Sequence, residues 1–348
     1  MISKKRILLA PLDWGLGHAS RCIPIARQLE KERFEVVFAA SGRSLDLLMS
    51  EFPNGDFIKL EGYNIRYPKN GTMAWSMISQ SLKILRSIRR EHTLLQTIID
   101  DYKIDGVISD NRFGLHSKRV PCVFITHQLN IQSPILRHWI KKINYKYIEK
   151  YDACWIPDFD NHILSGDLTR SDLPQVDCHY LGGLSRFEKK QKTEDLDILA
   201  VVSGPEPQRS LFENILKKQL LASNKKALMV LGKTEEHTKE QIRNLTIVGH
   251  LKSAELNQAM VNANIVISRS GYSTVMDIAK LNKKAIFVPT PGQTEQLYLA
   301  KYYFDNQLAF AMPQHKLDLA IAFEKIDDFK GLSIEQNKCD WQSLFALF

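Results

Sequence analysis

The stretch Ile265-Val266-Ile267-Ser268-Arg269-Ser270-Gly271-Tyr272-Ser273-Thr274-Val275-Met276-Asp277-Ile278-Ala279 decides how this chain reads. An apolar run of strand length ends at Ser268, a glycine turn follows, and helical spacing begins near Ser273. Val275, Ile278 and Ala279 fall on one side of that helix, and Asp277 falls on the face of Ser273 and Thr274. A strand feeding a helix through a glycine is the half-unit of a parallel α/β sheet. The helix start offers unpaired N–H groups, and Arg269 offers a fork of donors for phosphate oxygens. The spacing Thr274-x-x-Asp277 also fits a capping box, which leaves a second reading of the same residues open.

The pattern repeats outward from there. Ile198–Val202, Ala227–Leu231, Thr246–Val248 and Ala285–Val288 read as strands, and Leu211–Leu220 as a helix. Nearer the N-terminus the strands are Arg6–Pro11, Glu35–Ala40, Gly106–Ser109 and Cys122–Thr126, with helices over Ala19–Lys31 and from Ser44. Pro24 implies that the first helix begins near Arg21 or is kinked. Between the two series, the charged stretch after Tyr180 reads as a linker. The expected division is therefore 1–180, a linker 181–195, and a second α/β domain 196–330.

Composition agrees with two soluble domains. The chain has 348 residues, 44% apolar, 25% charged and 9% aromatic, which excludes wholesale disorder, collagen and coiled coil. Single cores stop growing near about 250–300 residues. No apolar run approaches the roughly 18–20 residues of a membrane helix. Ile7–Leu12 is too short for a signal-peptide core. Five cysteines without a C-x-x-C pair read as reduced thiols, and point to a cytoplasmic protein. The net charge of +8 points to an anionic partner, but nothing resembles a nucleic-acid reader motif.

Other candidate site residues sit at strand ends. Gly15-Leu16-Gly17-His18 follows the first strand, without the third glycine or the acidic residue of a dinucleotide site. His18 reads either as a general base at the loop tip or as a helix-capping histidine. Asp110, at the end of Gly106–Ser109, reads either as the orienting acid for His18 or as a turn residue. In the second half, Ser203-Gly204 admits close approach of a diphosphate. Glu295-Gln296, after Pro289-Thr290-Pro291-Gly292, suits hydroxyl groups of a sugar, or is a plain N-terminal helix charge.

In order and spacing these pieces resemble the glycosyltransferases of the two-Rossmann-domain (GT-B) architecture. The nearest likeness is to the lipid-intermediate N-acetylglucosaminyltransferases of bacterial cell-wall synthesis, the family 28 type, and then to UDP-glycosyltransferases. It covers residues 6–30, 105–112 and 198–310. The resemblance implies two Rossmann-like domains facing an interdomain cleft. It implies His18 as base with Asp110 its partner, and Gly15 and Gly17 as the acceptor-side loop. For the donor it implies Ser203, Gly204, His250, Leu251, Arg269, Ser270, Gly271, Tyr272, Ser273, Thr274, Asp277, Glu295 and Gln296. Asp277 stands where the family usually has Glu, a shorter reach to the ribose.

The implied reaction is inverting transfer of a hexosyl group from a nucleotide diphosphate sugar, a UDP-sugar by likeness, to an acceptor hydroxyl. No D-x-D pair sits at a strand end in the matched regions, so neither a metal nor a cofactor beyond the co-substrate is expected. By analogy, residues 331–348 form a helix on the first domain. A UDP-sugar epimerase or a non-catalytic nucleotide-sugar binder would share the architecture. Trp75, Met77, Ile78, Leu82, Leu85 and Ile88 alternate with Lys83, Arg86, Arg89 and Arg90. Pro134–Lys150 combines Ile135, Leu136, Trp139, Ile140 and Ile143 with five basic residues, Arg137, Lys141, Lys142, Lys146 and Lys150. Such faces suit peripheral contact with an anionic membrane carrying a lipid-linked acceptor, or two core-packed helices with solvated basic faces.

Overall fold

The apolar runs become the inner strands of two sheets. The computed structural model describes residues 4–63, 80–131, 137–170, 172–173, 175–233, 238–334 and 339–348. Trp75, Met77, Ile78, Pro134, Ile135 and Leu136 lie outside these. The chain divides into two compact units, one ending at Ser185 and rejoined by the C-terminal tail, the other starting at Arg186. Both boundaries fall within the expected linker 181–195, which holds no helix or strand.

The first unit has seven parallel strands: β1 (Arg6–Pro11), β2 (Glu35–Ala40), β3 (Asp56–Lys59), β4 (Gly106–Asp110), β5 (Cys122–Ile125), β6 (Ala153–Ile156) and β7 (Asp177–Tyr180), in the order β3-β2-β1-β4-β5-β6-β7. Its helices are α1 (Gly17–Lys31), α2 (Gly42–Glu51), α3 (Ser81–Tyr102) and α4 (Arg137–Ile148). Central strands are apolar along their length because both faces are covered. Leu8, Val37, Val107 and Phe124 pack with Leu95, Ile98 and Ile99 of α3 and Ile148 of α4. Each such side chain, fully buried, contributes about 1.5–3 kcal/mol.

The second unit repeats the plan: β8 (Leu196–Val201), α5 (Gln208–Ala222), β9 (Ala227–Val230), β10 (Lys239–Ile242), β11 (Leu245–Val248), α6 (Ser253–Asn262), β12 (Ala263–Ser268), α7 (Tyr272–Lys280), β13 (Lys284–Phe287), α8 (Thr294–Asp305), β14 (Phe310–Ala311) and α9 (Leu319–Lys325). The order is β10-β11-β9-β8-β12-β13-β14, with only the β10–β11 pair antiparallel. In each unit the chain lays strands to one side and then returns beside its first strand. Loops therefore diverge between β1 and β4, and between β8 and β12. A crevice opens there at the carboxyl ends, where ligands of open α/β sheets bind.

Three expectations need correction. The first helix begins at Gly17, with Pro24 inside it, so His18 lies in the first helical turn and not at a loop tip. The tail does not act as one piece. Residues 331–334 belong to the second unit, where Ile334 N–H donates to Ala279 O at 3.3 Å, and only 339–348 join the first. That end forms the short helix α10 (Trp341–Phe345). Phe345 and Phe348 lie edge-on to Phe34 at 5.7 and 6.5 Å, and Phe348 edge-on to Trp155 at 6.2 Å. Gly106 admits this: a Cβ there would lie 2.3 Å from Phe348 Cδ1.

A buried ion pair locks α3 to the strand ends of the first unit. Arg112, fully buried, donates through Nε to Glu91 Oε1 at 2.8 Å and through its other nitrogens to carbonyls of Pro11, Leu60 and Glu61. Tyr63 Oη and Gly114 N–H donate to Glu91 Oε2. Burial pushes the Glu91 carboxyl up, against the pull of Arg112 and Tyr63. Glu91→Gln leaves a buried guanidinium without its counter-charge. We expect a loss of about 3–5 kcal/mol in urea unfolding of the full chain.

Candidate functional site

The glycine loop of the first unit is tightly tied. Gly15 has φ +72°, a conformation that L side chains rarely adopt, and its N–H donates to Asp13 O at 3.0 Å. Ser44 Oγ donates to Gly15 O at 3.2 Å. Asp13 Oδ2 accepts from Ser41 Oγ and from Gly62 N–H, both at 3.1 Å. These bonds fasten the loop to the strand ends of β2 and β3, and Gly17 then opens α1.

His18 and Asp110 meet as expected. His18 Nδ1 lies 3.0 Å from Asp110 Oδ1, at the point where strand order reverses between β1 and β4. Asp110 is fully buried. Two residues that the sequence did not mark as site residues complete the cluster. Arg21, one helical turn after His18, donates through Nε to Asp110 Oδ2 at 2.7 Å and through Nη2 to Oδ1. Its Nη1 lies 2.8 Å from Nδ1 of His127, in the loop after β5. Arg21 Nη2 also lies 2.9 Å from His18 Nδ1. Burial alone would push the Asp110 carboxyl up, but the Arg21 guanidinium and His18 hold it well below the usual carboxylate range. The same burial, with Asp110 beside it, pushes the Cys22 thiol up. The available signal for Arg21 was its spacing of three residues from His18, which puts the two on one face of α1.

The second unit gathers its expected loops around its own reversal, between β8 and β12. Ser203-Gly204 follows β8, with Gly204 at φ +111°. Gly271 caps α7, which starts at Tyr272, so Thr274 and Asp277 both lie inside the helix and the capping-box reading is excluded. The first N–H groups of α7, those of Tyr272, Ser273 and Thr274, head the helix, while the Tyr272 side chain is buried. Glu295 sits in the first turn of α8. Gln296 braces the turn before it: Oε1 accepts from Thr290 N–H at 2.8 Å, and its carbonyl accepts from Ser270 Oγ at 2.8 Å. His250 and Leu251 follow β11, two strands from β8.

Arg269 does not fill the expected role of phosphate ligand. It is 2% exposed, and all its nitrogens donate within the protein. Nη1 reaches Val288 O at 3.0 Å and Pro289 O at 3.3 Å, while Nη2 reaches Gln208 O at 3.0 Å and Gln314 Oε1 at 2.6 Å. Nε faces Ser203 O at 3.5 Å, and the guanidinium carbon lies 4.0 Å from the Phe212 ring centroid. Burial without a counter-charge lowers its pKa to about 10. Arg269 is a strut that fixes the loops after β8, β12 and β13 to one another.

Two parallel-dominated sheets, each with polar glycine loops at its reversal, define an α/β protein of the GT-B glycosyltransferase fold. Residues 5–194 match the family described as Glycosyl transferase family 1, and residues 198–338 match the Glycosyltransferase family 28 C-terminal domain. The first match spans more than half of the chain, which belongs to this family and is a glycosyltransferase of the family 28 type. The UDP-N-acetylglucosamine–N-acetylmuramyl-(pentapeptide) pyrophosphoryl-undecaprenol N-acetylglucosamine transferase of Actinobacillus pleuropneumoniae serotype 5b is 26% identical over 322 residues, 89% of this chain and 85% of that protein. Among solved structures, MurG of Acinetobacter baumannii matches with TM-score 0.60 at 14% identity, over 99% of each chain. The glycosyltransferase SnogD of Streptomyces nogalater matches with TM-score 0.64 at 12% identity, over 93% of this chain and 91% of its own. At such identities the structural likeness establishes the fold.

If Arg269 is a strut, Arg269→Met lowers stability by about 1.5–3 kcal/mol, since several carbonyls lose a charged donor. Urea unfolding monitored on the full chain measures this.

Proposed function

We propose that this glycosyltransferase moves a hexosyl group from a uridine diphosphate sugar to an acceptor hydroxyl, with inversion and without metal or cofactor. The 3.0 Å contact between His18 and Asp110 carries the reading. His18 Nδ1 has both Asp110 Oδ1, at 3.0 Å, and the donor Arg21 Nη2, at 2.9 Å, within reach. In the tautomer whose Nδ1–H is turned to Asp110, His18 presents Nε2 as the base that takes the acceptor proton. The acceptor oxygen then bonds to the anomeric carbon as the bond from that carbon to the diphosphate breaks. N–H groups heading α7 meet the charge left on the diphosphate. Ser203, Gly204 and Gly271 let the diphosphate approach backbone, and Asp277 accepts from ribose hydroxyls. Glu295 and the Gln296 amide nitrogen read the sugar, and His250 and Leu251 flank the base. Support for the uridine donor comes from the Actinobacillus relative, which is named for UDP-N-acetylglucosamine. Transfer assayed with UDP-N-acetylglucosamine and candidate acceptors tests this. His18→Ala should lower kcat about 10²–10⁴-fold. Asp277→Ala should raise the donor KM. Full turnover by His18→Ala would remove the base assignment.

The acceptor in this proposal is lipid-linked, reached by peripheral contact from the cytoplasmic side. Among the described residues no helix is long and apolar enough to cross a membrane. On α4, Trp139 and Ile143 are 64% and 56% exposed, and Lys142 and Lys146 share their face. Lys142 lies 5.9 Å from the Trp139 ring centroid. On α3, exposed Leu82 and Leu85 share a face with Arg86 and Arg89. Exposed aromatic and aliphatic side chains among cations fit an anionic interface better than a solvated helix. The protein should float with phosphatidylglycerol vesicles at low salt, less so at high salt, and Trp139→Glu should weaken flotation. Absence of flotation at low salt would favour two solvated basic faces.

A further inference from the structure

Among the described residues, the polar groups that face Asp110 come from α1. His18 Nδ1 lies at 3.0 Å, Arg21 approaches with Nε and Nη2, and Cys22 Sγ lies at 3.7 Å from Oδ2. The flanking strands put Pro11 and Ile125 beside it in register, and neither carries charge. Behind Arg21 stands His127, whose Nδ1 lies 2.8 Å from Nη1. Arginine only donates, so His127 Nδ1 accepts and that ring carries its proton on Nε2. The whole cluster is buried: Arg21 is 2% exposed, Asp110 0% and His127 5%.

A carboxyl group at this depth with no cation takes up a proton rather than hold an uncompensated charge. A protonated Asp110 would no longer serve His18 Nδ1–H as a full acceptor, and Nε2 would lose its preference for carrying the lone pair. We propose that Arg21 is a positioning residue for sugar transfer, whose two-point grip keeps Asp110 ionised and its Oδ1 available to His18. The role rests on His18 acting as the base. Arg21 is 2% exposed, and its nitrogens meet Asp110, His127 and the Nδ1 side of His18, away from Nε2. It acts through Asp110, and its Nη1 bond to His127 fixes the angle of the fork. The direction of the Asp110 shift agrees: burial raises it, and Arg21 first, then His18, more than reverse that. The sign for acid conditions follows. With the folded-state carboxyl depressed, the ionised form persists below the ordinary aspartate range. Without Arg21, Asp110 takes up its proton at higher pH, and activity fails earlier on acidification.

The test uses the full chain with carboxyl-carbon-labelled aspartate, read by NMR, together with pH profiles of kcat/KM. In the wild type the Asp110 signal should stay constant between about pH 5 and 8, and in Arg21→Met it should titrate inside that window. The acid limb of kcat/KM should move up by about one pH unit or more in Arg21→Met. Arg21→Lys, which keeps the charge but loses the fork, should fall between the two. An Asp110 signal unmoved in Arg21→Met overturns the proposal. So does a kcat/KM that falls evenly at every pH, which is the mark of a merely structural residue. Should Arg21→Met fail to fold, Arg21→Lys decides, and a Lys profile identical to wild type overturns the role. Full turnover by His18→Ala would remove the base assignment separately, while the carboxyl titration still reports whether Arg21 holds Asp110.

Discussion

Asp110 carries a negative charge at the buried end of a strand, and the polar groups of the candidate site in the first unit are arranged around that charge. The strand-order reversal between β1 and β4 brings α1 across its carboxyl end. One turn of that helix then delivers His18, Arg21 and Cys22 to the same two oxygens. A bidentate guanidinium is the partner that makes such burial tolerable, because it matches the carboxylate in charge and in shape. The Arg112–Glu91 pair nearby meets the same constraint with a single Nε bond to the carboxylate, and the remaining guanidinium nitrogens close the loops that follow β1, β3 and β4.

The second unit solves the corresponding problem with the opposite charge. Arg269 follows β12, the strand that returns beside β8, as β4 returns beside β1. Among the described residues no carboxylate meets it. Five oxygen acceptors and an aromatic face do so instead. The loops bearing Ser203, Gly271 and Thr290 are thereby held to one frame, and the N–H groups of α7 are left to meet a ligand. The charge needed at the helix end is then a property of the backbone, and the arginine supplies the rigidity.

Much of this was legible beforehand, for physical reasons that differ from element to element. Ile7–Leu9 and Ile265–Ile267 announce inner strands because both faces are covered and the run is continuous. β3 (Asp-Phe-Ile-Lys) and β7 (Asp-Cys-His-Tyr) were not read because they are edge strands with half their surface wet. β6 is fully buried but only four residues long, too short to stand out from a helical segment. Gly271 and Asp277 were legible as a turn and a helix face. Arg269 was read as a ligand for an anion because a sequence shows the charge and not the carbonyls that surround it. His127 carried no local signal, since its meaning comes from a guanidinium more than a hundred residues away.

By itself the sequence determined the alternation of strand and helix in two series and the glycines at the turns. Those follow from local rules, periodicity and backbone freedom, which need no knowledge of the rest of the chain. Only the tertiary structure decided which charges are spent inside the protein and which remain for a ligand. In a one-dimensional reading Arg21 carries no role and Arg269 looks like a ligand for an anion. Packing buries both. One finds a carboxylate and tunes the candidate base, and the other finds carbonyls and becomes a strut, because the partners that settle a buried charge come from distant strands.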